Sequence, residues 1–178
     1  MKHQIKDSSY LLANKLTSKK KLYRILILGD SSVGKTELLK TLLKHDINHI
    51  YNFFYVDTYV DKFIGNSIYN KTKLNTISFT DIHLVYLCFD INRDFLDQLG
   101  YWIKHINELK KKVKFIVVGC KSDLRNKFSI NTSQARDYAI YNGAINYLEC
   151  SSVTKNNIDT LIDITKEISI ANSNCMIL

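Results

Sequence analysis

Short apolar runs of strand length recur along the chain, separated by segments with helical spacing. Arg24 to Leu28, Leu84 to Phe89 and Lys114 to Val118 are nearly continuous in apolar residues, the pattern of strands covered on both faces. Tyr147 to Cys150 is a shorter candidate of the same kind, while Tyr55 to Ile64 contains an alternating stretch suited to an edge or antiparallel strand. Glu37 to Lys44 reads as a helix. So does Asp94 to Lys111, with Leu96, Leu99, Trp102, Ile103, Ile106 and Leu109 on one face. Ser133 to Tyr141 follows, with Ser133 as cap and Asn142-Gly143 as stop, and Ile158, Leu161, Ile162, Thr165 and Ile168 form the stripe of a last helix. The alternation predicts an α/β fold, a mostly parallel central sheet with helices on both faces, whose ligands sit beyond the carboxyl ends of the strands.

Chemistry appears where that rule looks for it. Gly29-Asp30-Ser31-Ser32-Val33-Gly34-Lys35-Thr36 fits G-x-x-x-x-G-K-[ST] and joins the first strand to the first helix, the context this phosphate loop needs. The backbone from Asp30, Ser31, Ser32, Val33 and Gly34 to Lys35 and Thr36 is expected to aim its N–H groups at phosphate oxygens, helped by the helix N-terminus. Lys35 is placed to reach the β and γ phosphates, and the Thr36 hydroxyl to bind Mg²⁺, a cation that prefers oxygen ligands.

A phosphate loop does not by itself choose a base. The third strand candidate ends in Gly119-Cys120-Lys121-Ser122-Asp123 and the fourth in Glu149-Cys150-Ser151-Ser152-Val153. Here the chain resembles the Ras superfamily of small GTPases, whose loops at these places read N-K-x-D and E-x-S-A-K. The resemblance spans about residues 22 to 170 and implies a P-loop NTPase G domain that binds GTP or GDP with Mg²⁺. It implies that Asp123 accepts hydrogen bonds from the guanine N1 and exocyclic amine, that Lys121 lies along the base, and that backbone N–H groups around Ser151, Ser152 and Val153 meet the guanine oxygen. Cys120 stands where the family has Asn, an amide that braces the phosphate loop and contacts the base, so nucleotide affinity is expected to be reduced. Tyr86 to Ile91, Trp102, Asp123 to Asn126 and Glu149 to Ser152 look like Rho-family text, although the 25 residues between Asp123 and Glu149 leave no room for the extra Rho helix.

The family's hydrolysis machinery is largely missing. Ungapped alignment from Thr36 puts Phe54 at the position of the switch I threonine, with Thr58 as a substitute only after a register shift. If Tyr59 to Ile64 turns near Gly65-Asn66 and returns through Phe79, no space remains for a D-x-x-G loop and a helix; Asp81 is a poor stand-in for its Asp. The one D-x-x-G in the chain, Asp97 to Gly100, falls inside a helix candidate. Hydrolysis is therefore expected to be slow or absent, because the family uses these groups to orient water and receive an activating protein.

Charge and termini extend this reading. The chain has 178 residues and a net charge of +8, but residues 1–24 hold seven basic residues against Asp7. A nucleic-acid-binding domain spreads Lys and Arg over a folded face, so no nucleic-acid partner is expected. No apolar run is long enough to span a bilayer, and with no apolar stretch of the secretory kind near the start, no secretory signal is expected. Cys88, Cys120, Cys150 and Cys175 show neither zinc nor disulfide spacing. Cys175-Met176-Ile177-Leu178 fits C-a-a-X, and its final Leu favours geranylgeranylation. One lipid chain needs a second membrane signal, which the basic N-terminal segment is suited to supply.

The expected organisation is a basic extension over 1–21, a G domain over 22–170 and a short tail over 171–178. The expected protein is a prenylated, membrane-attached guanine-nucleotide-binding signalling protein at the cytoplasmic face of a membrane. A pseudo-GTPase, an interaction module without nucleotide turnover, is the alternative; an adenine-nucleotide kinase is disfavoured by Asp123.

Overall fold

A computed structural model describes residues 23–45, 51–55, 82–109 and 112–174. Strands β1 (Tyr23–Gly29), β2 (Tyr51–Tyr55), β3 (Leu84–Asp90), β4 (Lys114–Cys120) and β5 (Asn146–Glu149) alternate with helices α1 (Lys35–Leu42), α2 (Phe95–Asn107), α3 (Thr132–Tyr141) and α4 (Ile158–Asn174). The strands form one sheet in the order β2-β1-β3-β4-β5, and every described pairing is parallel. The fold is α/β, a parallel sheet with helices on both faces, as the alternation predicts.

Side-chain alternation along the strands divides the core in two. Ile25, Ile27, Tyr86, Cys88, Ile116 and Val118 face α1 and α4, where they meet Leu38, Leu42, Ile158 and Leu161. Leu26, Leu28, Val85, Leu87, Phe89 and Val117 face α2 and α3, where they meet Leu99, Trp102, Ile106 and Ala139. Every residue of β3 is buried, which explains its unbroken apolar run. Each large side chain removed from water in this way contributes about 1.5–3 kcal/mol.

The edge strand is one that the sequence reading did not single out, while the expected stretch from Tyr55 to Ile64 lies, beyond Tyr55, outside the described residues. The strand occupies Tyr51–Tyr55 and runs parallel to β1, Tyr23 opposite Tyr51 and Leu26 opposite Phe54. An aromatic cluster selects this segment: Tyr51 meets the Tyr23 ring edge-on at 6.0 Å, and Phe53 lies 6.4 Å from Tyr86. Phe54, expected at the switch I threonine position, thus lies within the sheet. Thr58, Asp81, the hairpin from Tyr59 through Gly65-Asn66 to Phe79, the N-terminal segment and Cys175 lie outside the described residues.

Helix ends follow local chemistry. Asn131, not Ser133, caps α3, its side chain accepting from the N–H groups of Ser133 and Gln134 at 2.9 and 3.2 Å. Ser133 sits within the first turn instead. Helix α2 starts on Asp94, which accepts from the Leu96 N–H, and ends at Asn107, short of the expected Lys111. The Leu109 N–H turns back to the Ile106 carbonyl, tightening the last turn before Val113 enters the core. Helix α4 runs on to Asn174, beyond the stripe that announced it.

Candidate functional site

The carboxyl ends of β1, β3, β4 and β5 gather four loops at one edge of the sheet. The first is the phosphate loop. Gly29 has φ +140°, and a Cβ there would lie 2.1 Å from the Cys88 carbonyl oxygen, so only glycine lets β1 leave the sheet this close to β3. Gly34, at φ +114°, is the N-cap of α1 and brings no side chain to the helix start. The first N–H groups of a helix have no intrahelical acceptor. Left uncapped beside the helix's positive end, they suit an anion.

Lys35 is 3% exposed, and its Nζ donates to the Asp30 carbonyl at 2.5 Å, so its charge is held inside the loop opening. Thr36 follows, half-buried, with one hydroxyl oxygen for a cation. The loop is tied from outside at successive residues. Trp102 Nε1 of α2 donates to Asp30 Oδ1 at 2.9 Å, Arg93 Nη1 to the Ser31 carbonyl at 3.4 Å, and Lys121 Nζ to the Ser32 carbonyl at 2.7 Å.

The residues expected to recognise the base also converge. Cys120 ends β4 opposite Asp90 of β3, and Lys121 follows in the left-handed conformation, φ +64°, leading into a 3₁₀ turn over Ser122–Leu124. Asp123 is exposed, and one of its oxygens accepts from Ser151 Oγ at 2.6 Å. Ser151 is fully buried, and its Oγ also accepts from the N–H groups of Val153 and Thr154 at 3.2 and 3.1 Å. This hydroxyl therefore sets both loops together. The Ser122 N–H bonds the Cys150 carbonyl at 3.1 Å, a second link between them.

The loop geometry narrows which N–H can serve a ligand oxygen. The Ser151 N–H goes to the Asn156 carbonyl and that of Val153 to Ser151 Oγ, whereas the Ser152 N–H has no acceptor among the described residues. Arg125 and Glu149 pair across the same two loops, with Tyr147 OH donating to the other Glu149 oxygen at 2.6 Å.

Cys120 is buried against the phosphate loop: a Cβ on Gly34 would lie 3.3 Å from Cys120 Cβ. Its thiol makes no hydrogen bond to the described loop residues; it makes a long contact with the Val118 carbonyl at 3.9 Å and faces the Cys150 and Cys88 thiols. The facing Cys150 thiol favours its ionised form, but the Cys88 thiol and burial outweigh this and hold Cys120 well above the usual thiol range.

Asp90 is a residue that the motifs did not single out. It is 4% exposed, with Oδ2 at 2.7 Å from Lys121 Nζ and 3.6 Å from Arg93 Nε. Its Oδ1 accepts from the Asn92 N–H at 3.0 Å. Burial alone pushes its carboxyl up, but the Lys121 ammonium and the Asn92 donors outweigh burial and hold it below the ordinary carboxylate range. An ionisable residue closing an apolar strand run was the available signal. The only D-x-x-G in the sequence, Asp97 to Gly100, lies within α2, as its helical pattern predicts.

Comparison with known proteins agrees with this arrangement. A family model described as the Ras family matches residues 24–170. The chain is 30% identical to the human Rho-related GTP-binding protein RhoE over 162 residues, 75% of this chain and 66% of that protein. It is 28% identical to human RhoD over 114 residues, 56% of this chain and 54% of that protein. It is 29% identical to GTP-binding protein rho3 of Schizosaccharomyces pombe over 159 residues, 76% of this chain and 78% of that protein. The chain thus spans between about half and two thirds of the length of the two human relatives. With the family model covering most of its length, the chain belongs to the Ras family, as a divergent small GTPase with Rho-like motifs.

Proposed function

We propose that the chain binds GDP or GTP with Mg²⁺, hydrolyses GTP slowly or not at all, and works as a prenylated signalling protein on the cytoplasmic face of a membrane. The observation that carries nucleotide binding is that Lys121 Nζ reaches the Ser32 carbonyl at 2.7 Å while Asp123 is oriented by Ser151 at 2.6 Å. Phosphate and base elements therefore share one framework. In this reading Lys35 and the uncapped start of α1 hold the phosphates, and the Asp123 carboxylate takes the guanine donors that adenine does not offer in that arrangement. The Ser152 N–H takes the guanine oxygen, and the stem of Lys121 lies along the base.

The donor set fits Mg²⁺ as well. Thr36 supplies one hard oxygen, and Mg²⁺ characteristically retains waters and phosphate oxygens for the rest of its shell. When bound, the ion neutralises charge between the β and γ phosphates. The reading of slow hydrolysis rests on Phe54, a side chain with no oxygen that the ungapped alignment sets at the threonine position, Thr58 replacing it only by a register shift, and on the one D-x-x-G lying in α2. The division into a basic extension over 1–21, a G domain over 22–170 and a tail over 171–178 carrying Cys175 belongs to the same proposal.

The test begins with nucleotide released from purified full-length protein and separated by chromatography. Added GTP is then followed with and without Mg²⁺. Guanine nucleotide that is retained and turned over far more slowly than by an ordinary small GTPase is the expected result. Retained ATP, or a protein indifferent to both nucleotides as a pseudo-GTPase would be, overturns it.

A further inference from the structure

Two side chains from outside the phosphate loop bond its backbone carbonyls, and one carboxylate holds both. Lys121 Nζ lies 2.7 Å from the Ser32 carbonyl and 2.7 Å from Asp90 Oδ2. Arg93 donates to the Ser31 carbonyl at 3.4 Å, and its Nε lies 3.6 Å from the same Asp90 oxygen. Asp90 is the last residue of β3, anchored in a strand buried along its whole length, so the brace starts from the most rigid part of the sheet. A carboxylate that is 4% exposed costs stability unless it is partnered. Its basic partners both reach the phosphate loop.

The direction of these bonds matters. Within a planar trans peptide the carbonyl and the following N–H point to opposite sides. Drawing the Ser31 and Ser32 carbonyls outward to Arg93 and Lys121 therefore turns the N–H groups of Ser32 and Val33 the other way, into the loop. Cys120 supplies no such bond, since it touches the loop only through packing near Gly34.

We infer that Asp90 is a positioning residue for the nucleotide site, its carboxylate holding Lys121 and Arg93 against the phosphate-loop carbonyls so that the loop keeps its binding shape. The inference rests on the guanine-nucleotide binding proposed above. A loop ordered in advance loses less freedom when it binds, so removing the brace appears as faster ligand release.

The experiment uses the full-length protein loaded with fluorescently labelled GDP and chased with unlabelled GDP. Asp90→Asn and Lys121→Met are each expected to raise the dissociation rate about tenfold, and Arg93→Gln about twofold because its guanidinium is half-exposed and its contacts are longer. In the Lys121→Met background, Asp90→Asn adds little further, because the two act through one contact. Thermal melting is followed in parallel. A lowered melting temperature with an unchanged dissociation rate would mean a purely structural carboxylate and overturn the inference, as would fully additive effects. Should Asp90→Asn fail to fold, unchanged rates in both Lys121→Met and Arg93→Gln overturn it equally. Unmodified protein that takes up no labelled GDP would instead refute the underlying reading, a result distinguishable because it precedes every variant.

Discussion

Asp90 is buried and charged, and its acid behaviour follows from what faces it. Its carboxyl is held below the ordinary range in the folded state, so its contribution to stability is fully present above the unfolded value, about pH 4, and is lost as pH falls through the lower folded value. Urea midpoints measured from pH 6 down to pH 3 should therefore decline more steeply for the wild-type protein than for Asp90→Asn; parallel curves would contradict the assignment. Ser151 is a second test at this scale. Its buried hydroxyl accepts two backbone N–H groups and orients Asp123, so Ser151→Ala leaves both donors without their acceptor. About 2 kcal/mol is at stake, and GDP affinity is expected to fall roughly thirtyfold. An unchanged affinity by calorimetry would show that Asp123 needs no such support. The buried thiols behave differently again. Contact with Cys120, then burial, pushes the Cys150 thiol up, and Cys120 is raised too. Both shifts disfavour the thiolate that reacts, so peptide mapping of native protein after brief iodoacetamide treatment should find Cys120 and Cys150 unmodified.

Helix α2 connects core packing to the site through one side chain. Trp102 is fully buried between the sheet and α2, yet its indole N–H reaches Asp30 in the phosphate loop. Trp102→Phe keeps most of the apolar contact, removes that donor and leaves a small void, a cost of about 1–3 kcal/mol. The melting temperature should fall and GDP release should quicken; a lower melting temperature with unaltered release would confine Trp102 to the core. Such links show why some elements could be read from the chain and others could not. The phosphate loop is eight consecutive residues between a strand and a helix, so its pattern survives in one dimension. Asp90, Lys121 and Ser32 are brought together only by the parallel register that sets Asp90 beside Cys120. No local spacing records that. Strand β2 escapes the sequence reading because Tyr51 to Tyr55 does not alternate cleanly between apolar and polar residues. Its position is decided by Tyr23 and Tyr86, which belong to other strands. The cap of α3 was misplaced by two residues because Asn131 and Ser133 are both competent caps, and the side-chain geometry of Asn131 decides between them.

At the scale of the whole molecule, the parallel sheet separates two ends with different chemistry. All the loops of the candidate site lie at the carboxyl ends of the strands. Tyr23 and Tyr51, register partners at the opposite end, mark where β1 and β2 begin, and Tyr51 OH lies 3.3 Å from Ser169 Oγ near the end of α4. The chain thus enters β1 at the end of the sheet near which Ser169 of α4 lies, away from the candidate-site loops. Lys19, Lys20 and Lys21 immediately precede that entry point in sequence. On the proposed membrane attachment, the lipid and these lysines then act on one surface while the nucleotide loops stay open to partners. A single prenyl chain holds weakly, and each basic residue close to an anionic bilayer adds roughly 1 kcal/mol. Prenylated protein should therefore bind phosphatidylserine vesicles more tightly than neutral ones, with the difference shrinking as salt shortens the screening length. Replacing Lys19, Lys20 and Lys21 by Gln should abolish most of that difference but leave binding to neutral vesicles intact, whereas Cys175→Ser should abolish both. Lipid-independent binding by the Cys175→Ser protein, or no response to the lysine replacements, would separate the two ends of the chain and refute their joint action.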